Sequence, residues 1–343
     1  MNDRLLKAVR REPVDRTPVW FMRQAGRALP RYRELRADAG MFEILRDPEA
    51  TAEITALPLE YFPVDGCVLY NDLVTPFFGA GFEVELQAGV GPVVSNPIRT
   101  PSDVDGLEPF DPREALGYTF EAIRLLVDRL DVPVLGFVGA PFTLCSYLVE
   151  GPRSRHLQEV KVFMLRYPEA WHRLAGYWAD RQAEFGIAQH EAGAGVVQVF
   201  DSWAGSLSPQ DYLRYVHPHS RRLLRRLGEA EVPTIHFATG NPALLPLIAD
   251  AGGDVISVDW RLPIDEAWEL VGKDRGIQGN LDPVSVVAGE EAALAGARDI
   301  LERVGGRPGH IFNLGHGILP STDHEVLAAL VEYVHEYGNE AEG

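Results

Sequence analysis

Val132-Pro-Val-Leu-Gly-Phe-Val138 is an apolar run, and Gly139-Ala-Pro-Phe-Thr143 follows it at once. A short run without polar alternation suits a strand buried on both faces, as in a parallel sheet. Working outward, the same pattern returns at Gly195–Phe200, Thr234–Phe237, Asp254–Val258, Gly276–Gln278 and His310–Asn313. On the N-terminal side it stands at Gly66–Tyr70 and Pro18–Met22. Helix-like stretches separate most of these candidates: Pro48–Tyr61, Arg113–Leu130, Glu169–Ala192, Pro209–Ala230, Ala243–Gly252, Ile264–Val271 and Gly289–Val304. Asp47 is placed as an N-cap, with Pro48 at the first helical position. Eight strand–helix units predict an α/β fold, a single (β/α)8 barrel of the TIM type spanning residues 1–343, rather than a doubly wound sheet. The longest interruption, Thr75–Val104, holds alternating Phe82, Val84 and Leu86 and then Val90–Val94. It is predicted as a hairpin inserted after strand two, not a second domain.

With 46% hydrophobic and 24% charged residues, the composition is that of a globular protein, and only the tail Glu340–Gly343 reads as disordered. Cys67 and Cys145 lie in apolar surroundings, which predicts buried thiols in a reducing compartment. The start, Met1–Arg16, is dense with charge and lacks the apolar core of a signal peptide. The longest uncharged runs, Val132–Val149 and Val232–Ala249, are too broken by Pro and Gly to span a bilayer. A cytoplasmic protein with no membrane segment is the expectation. The net charge of −18 argues against nucleic acid as a partner, since its phosphates would be repelled. Yet residues 1–46 hold 11 Lys and Arg against 6 Asp and Glu, and five arginines fall between Arg23 and Arg36. That run is either a solvated helix face or an anion-binding island.

Polar, Gly-flanked groups follow strand after strand: Arg23 and Arg27, Asp72, Gly139–Thr143, Asp201-Ser202, Thr239-Gly240-Asn241, Asp259, Asn280 and Asp282, and Gly315-His316-Gly317. In a barrel these ends converge on the face that carries the active site. Some must be structural, and Asn241 before Pro242 and Asp282 before Pro283 fit caps well.

Pro18-Val-Trp-Phe-Met-Arg-Gln-Ala-Gly-Arg27, with Leu29-Pro30 and Tyr32-Arg33-Glu34, resembles the N-terminal signature of the uroporphyrinogen decarboxylase family. So do Gly136–Tyr147 with Glu150-Gly151, Phe200-Asp-Ser-Trp-Ala-Gly205, Gln278-Gly-Asn-Leu-Asp-Pro283 and Asn313-Leu-Gly-His-Gly317, in the right order. The likeness runs from about residue 3 to about residue 335. It implies uroporphyrinogen III as substrate and coproporphyrinogen III as product, by loss of four acetate carboxyls as CO2. It further implies a homodimer, and no metal or other cofactor. Substrate-binding positions carried over are Arg23, Gln24, Ala25, Gly26, Arg27, Asp72, Tyr147, Ser202 and His316; catalytic ones are Asp72, Arg23 and Tyr147. The chain departs from the family's usual pattern at Ala28, where a Tyr is customary, and at Asn71, where a Ser is.

The residue chemistry agrees with that expectation. A polycarboxylate bound by an acidic protein needs a local positive anchor, and the planar guanidinium binds carboxylate bidentately. Gly26 lets backbone approach a ligand. Asp72 is acceptor-only when ionised, so pyrrole N–H groups can converge on it. Its charge would stabilise the cationic ring formed when a pyrrole carbon is protonated. The pyrrole then accepts the electrons that departing CO2 leaves, the role an electron-sink cofactor plays elsewhere. The proton donor stays open among Arg23, Tyr147 and a water relayed by a carboxylate. Each residue also has an ordinary reading: a cap for Asp72, a half-buried helical Tyr147, an N-cap Ser202, a His316 in a Gly-flanked turn.

Two other functions are weighed. Zinc-dependent corrinoid methyltransferases of the same superfamily place a His-x-Cys pair after strand five and a further Cys near strand eight. Here the first place reads His236-Phe237-Ala238 and no Cys follows Cys145, so His236 is expected to be a satisfied core histidine. A non-catalytic tetrapyrrole-binding protein would be favoured by loss of Asp72 or the arginine pair, and all three are present.

Overall fold

Nine strands stand among the residues described by the computed structural model, which are 2–37, 39–87, 90–151 and 156–340. They are β1 (Cys67–Val68), β2 (Val84–Gln87), β3 (Gly91–Val94), β4 (Val134–Gly139), β5 (Val196–Asp201), β6 (Thr234–Ala238), β7 (Val255–Ser257), β8 (Gly276–Leu281) and β9 (His310–Leu314). Seven of them pair in parallel in the order β1-β4-β5-β6-β7-β8-β9. β2 and β3 form the expected antiparallel hairpin, with Val84 opposite Val94. The last residues of the chain, 341–343, lie outside the described residues.

The first predicted strand, Pro18–Met22, shrinks to one bridge between Val19 and Phe312. It nevertheless joins the two edges of the sheet. Phe312 N–H donates to the Pro18 carbonyl at 2.9 Å, beside β9, and Asp65 N–H donates to the Val19 carbonyl at 2.7 Å, just before β1. Pro18 has no N–H to give, which shortens the ladder. β1 is likewise shorter than the five residues expected, although Leu69 N–H still reaches the Leu135 carbonyl at 2.9 Å.

Alternation along the strands sorts the core. Leu135 and Phe137 of β4, Val196 of β5 and Ile235 and Phe237 of β6 cluster with Trp20, Met22 and Val68 inside the barrel. Val134, Val138, Val197 and Val199 face out, against helix residues such as Leu126, Ala183 and Leu227. The interior also holds a polar layer. Trp20 Nε1 donates to Gln278 Oε1 at 2.8 Å, and Gln278 Nε2 donates to Gln198 Oε1 at 3.0 Å and Ser257 Oγ at 2.9 Å. Buried amides are tolerated because they hydrogen-bond to one another.

Below this layer the helix Arg4–Val9 closes the N-terminal mouth. Gly66 and Gly195 make room for it: a Cβ on them would lie 2.7 Å from Leu5 Cδ2 and 3.0 Å from Leu6 Cδ2. Asp47 caps helix Pro48–Ala56 as expected, accepting from Glu49 N–H at 3.0 Å and Ala50 N–H at 3.2 Å. The long helix expected over Pro209–Ala230 is interrupted. A wide π turn, Tyr212–Val216, precedes helix His217–Glu229, because Pro218 lacks the N–H that a regular ladder needs there. No helix among the described residues is long and apolar enough to cross a membrane.

Candidate active site

After Met22 the chain turns at Arg23, whose φ of 61° is left-handed. For a non-glycine residue this costs of order 1 kcal/mol and persists only where the surroundings fix it. Gln24 does the fixing. It is buried, its Oε1 accepts from Phe21 N–H at 3.0 Å, and its Nε2 donates to the Gly66 carbonyl at 3.0 Å. The Gln24 side chain is therefore turned into the protein. Gly26 is needed for space rather than for φ, since a Cβ there would stand 2.8 Å from the Arg23 carbonyl oxygen. Among the described residues the N–H groups of Ala25, Gly26 and Arg27 find no acceptor.

Arg23 and Arg27 are exposed, and neither has a carboxylate within salt-bridge distance among the described residues. Arg31 differs, since it pairs with Glu34 at 3.0 Å and approaches Glu53 at 3.7 Å. The arginine run is thus divided: Arg31 lies on a solvated face, and Arg23 and Arg27 keep their charge free. Free guanidiniums beside free backbone N–H groups are a carboxylate-binding arrangement.

Arg23 also joins the two ends of the chain. A Cβ on Gly317 would lie 2.6 Å from Arg23 Cδ, so the arginine stem rests on that glycine. Its charge acts on half-buried Asp72. Burial pushes the Asp72 carboxyl above the usual range, while the Val74 N–H, 3.1 Å from Oδ1, and Arg23 oppose that. Oδ1 serves a local turn, and Oδ2 has no partner among the described residues. Asn71, a departure from the family pattern, braces this turn by accepting from Asp72 N–H at 2.8 Å and Thr75 Oγ1 at 2.6 Å.

His316 accepts the Gly317 N–H on Nδ1 at 2.7 Å, which leaves Nε2 to carry the hydrogen of a neutral ring. Its ring meets Phe237 edge-on at 6.2 Å. Phe237 meets Phe200 at 5.5 Å, and Phe200 meets Phe137 at 5.5 Å. These rings pave the floor across β4, β5 and β6. Beyond them lies half-buried Tyr147, on helix Pro141–Glu150, with its ring 4.3 Å from Trp203. Half-buried Ser202 sits between Trp203 and wholly buried Asp201.

Other strand-end residues are structural. Asp259 accepts from Thr239 Oγ1 and Gly240 N–H, both at 2.6 Å, and from the Arg261 guanidinium. Asn280 Nδ2 donates to the carbonyls of Asp259 at 2.9 Å and Leu262 at 2.8 Å. Asn241 and Asp282 accept from Ala243 and Val284 N–H, as caps should.

A family model described as uroporphyrinogen decarboxylase (URO-D) matches residues 1–337. The chain belongs to the uroporphyrinogen decarboxylase family. A relative from Chloroflexus aurantiacus named uroporphyrinogen decarboxylase is 47% identical over 342 residues, covering 98% of this chain and 96% of its own. One of the same name from Nocardia farcinica is 50% identical over 327 residues, 94% of this chain and 92% of its own. Among solved structures, a methyltransferase from Methanosarcina mazei superposes with a TM-score of 0.83 at 24% identity, covering 98% of both chains. That likeness speaks to the barrel alone.

His236 points out of the barrel in this family member. Its Nδ1 faces the Gly252 carbonyl at 3.2 Å, and the Ile248 backbone also bears on the ring. Burial lowers its pKa to about 4. No cluster of three His, Cys, Asp or Glu suited to a metal occurs among the described residues. Three features escaped the reading of the sequence. The aromatic floor was foreshadowed by the inward alternation of Phe137, Phe200 and Phe237. Trp203 against Tyr147 and Thr143 bonded to Asp201 had no local signal, since both contacts join distant segments.

Proposed function

We propose that this protein is a uroporphyrinogen decarboxylase, converting uroporphyrinogen III to coproporphyrinogen III by removing four acetate carboxyls as CO2. The observation that carries the reading is the pair Arg23 and Arg27, uncompensated beside free backbone N–H groups, with the Arg23 charge acting on Asp72, in a chain of net charge −18. Arg23 and Arg27, with the N–H groups of Ala25 and Gly26, hold propionate or acetate carboxylates. Gln24 keeps that loop in shape. Tyr147, Ser202 and His316 bind further carboxylates around the rim of the aromatic floor.

Asp72 takes the centre of the macrocycle. Its carboxyl is pushed up by burial in the ligand-free protein. Several pyrrole N–H donors around it would stabilise the anion and bring the pKa down again. The bound carboxylate then faces a ring that becomes cationic when a pyrrole carbon takes a proton. The bond from the acetate methylene to its carboxylate breaks, CO2 leaves, and the electron pair neutralises the ring. A proton delivered to the exocyclic methylene carbon completes the methyl group, and the pyrrole carbon gives up the proton it took, so each cycle consumes one proton net. Preorganised charge of this kind contributes most where water is excluded.

The chain forms one (β/α)8 domain over residues 1–343 and works in the cytoplasm as a homodimer. Two free, buried cysteines suit a reducing compartment. Light scattering is expected to give the mass of two chains, and a monomer would remove the dimer. The function is tested by anaerobic incubation with uroporphyrinogen, oxidation, and separation of the porphyrins. Coproporphyrin is expected, and recovery of uroporphyrin alone would overturn the assignment.

A further inference from the structure

We propose that Asp201 and Thr143 are positioning residues for the reaction, clamping the end of β5 to helix Pro141–Glu150 so that Ser202 and the Tyr147 phenol keep one relative arrangement. This rests on the function proposed above. Thr143 Oγ1 donates to Asp201 Oδ1 at 2.9 Å and lies 3.4 Å from Trp203 N–H as acceptor. The one hydroxyl thus fastens residues on both sides of Ser202. Four residues on, one turn along the same helix face, stands Tyr147, whose ring packs on Trp203 at 4.3 Å. The segment 201–203 is therefore tied to the helix at two levels, with Ser202 held between them.

The clamp is buried and tightly fitted. Asp201 and Thr143 have no exposed surface, so neither reaches a substrate. Gly139, at the end of β4, has no space for a side chain, since a Cβ would meet Leu144 Cδ2 at 2.5 Å; this seats the first turn of the helix against the sheet. Burial pushes the Asp201 carboxyl up, and only the hydroxyl and backbone N–H of Thr143 oppose it; its charge in turn bears on Cys145 of the same helix and Tyr212 of the neighbouring π turn, and no cation acts on it. Asp201 Oδ2 is buried without a partner. A carboxyl kept in such a place while only one oxygen is used fits a positional demand better than a stabilising one.

The test uses the full-length protein and Thr143→Val, which keeps the shape and removes the hydroxyl, beside Thr143→Ser, which keeps the hydroxyl. Amide exchange of the peptide spanning 200–207 is followed by mass spectrometry, and anaerobic kcat and KM are measured. Thr143→Val is expected to fold, to speed exchange in that peptide, and to reduce kcat/KM by about fivefold to tenfold. Thr143→Ser should restore both. Combined with Tyr147→Phe, Thr143→Val should add little further loss, because it acts through that tyrosine. Unchanged exchange in Thr143→Val would overturn the clamp. Faster exchange with wild-type kinetics, or losses that multiply with Tyr147→Phe, would make the contact merely structural and overturn the positioning role. A wild-type protein that leaves uroporphyrinogen intact would instead strike the function on which the inference rests, and that is seen before any variant is made.

Discussion

Asp65 and Asp201 both lack exposed surface, and the two ends of the barrel treat them in opposite ways. At the N-terminal end Asp65 is surrounded by donors. Its Oδ2 accepts from Val19 N–H at 2.9 Å and faces His335 Nε2 at 2.7 Å, and its Oδ1 accepts from Asn2 Nδ2 at 2.7 Å. Arg16 approaches within 3.7 Å. Burial pushes the Asp65 carboxyl up, but His335 and the neutral donors outweigh it and hold the pKa below the ordinary range. At the C-terminal end Asp201 has only the hydroxyl and backbone N–H of Thr143, no cation, and a pKa pushed up to about 7 by burial. The first carboxylate joins the closing segment, the N-terminus and the last helix. The second ends β5, directly before half-buried Ser202. Of these two buried carboxylates, the one at the closed end has both oxygens paired and the one at the open end has only one.

Asparagine swaps at the two ends should separate stability from turnover. Asp65→Asn removes the anion facing His335 and should lower stability by about 3 kcal/mol, or the melting midpoint by roughly 5 °C. Its kcat should stay at the wild-type value, because the cluster lies across the barrel from the cleft. Calorimetry and kinetics on one preparation decide the matter. A stable variant with reduced kcat would erase the contrast between the ends.

Asp72→Asn should do the reverse. Its turn with Val74 needs one acceptor oxygen, which asparagine supplies, so folding should be unchanged. Losing the anion beside a cationic pyrrole should reduce kcat by about a hundred- to a thousandfold. Asp72→Glu, with the charge displaced by one methylene, should fall between. An asparagine variant with wild-type kcat would leave Asp72 as a cap and nothing more.

The arginine run permits a finer division. Arg23→Lys and Arg27→Lys lose the bidentate fork, and each should reduce kcat/KM by roughly one to two orders of magnitude. Arg31→Lys, on the ion-paired face, should be close to wild type. Arg36 belongs to neither class. It is half-buried, donates to the Ala39 carbonyl, and its charge acts on Tyr70, two residues from Asp72. Equal kinetics in the Arg23 and Arg31 variants would return the whole run to a solvated face.

The sequence carried the barrel because its strands are short apolar runs, and burial on both faces leaves little else that such runs can do. The closing segment was harder to place. Pro18 removes a donor from the ladder, and the next N–H, that of Val19, donates instead to the Asp65 side chain forty-six residues on. No local pattern announces that exchange. Arg23, Asp72 and His316 were singled out because each follows a strand, and the structure sets Arg23 beside Gly317 and within reach of the Asp72 charge. Gln24 was grouped with them by adjacency, yet its amide faces Gly66, a contact forty-two residues away. Asp201 was visible as a strand-end residue, but its partner Thr143 is fifty-eight residues distant. What the sequence withheld in each case is long-range pairing, which depends on register and packing rather than on neighbours.

The smallest expected effect tests the opposite signs at the two ends. A carboxyl whose pKa is raised by folding binds its proton more tightly in the native state. For Asp201 the native protein holds a proton that the unfolded chain has shed between the ordinary carboxyl value, about 4, and about 7. Its contribution is fully present below that window and is lost as pH rises through it. Asp65 runs the other way: its contribution is present above the ordinary carboxyl range and is lost as pH falls through its lowered pKa. Asp201→Asn cannot ionise and still offers Thr143 an acceptor, so it should gain stability relative to wild type as pH rises from about 4 to about 7, by a few degrees in melting midpoint. Asp65→Asn should show no such gain in that window, and should approach wild type only on further acidification. Midpoints for the three proteins across that range provide the comparison. A difference between wild type and Asp201→Asn that stays flat from pH 4 to pH 8 would mean that the buried carboxyl does not titrate there, and the two ends would then differ in geometry but not in charge.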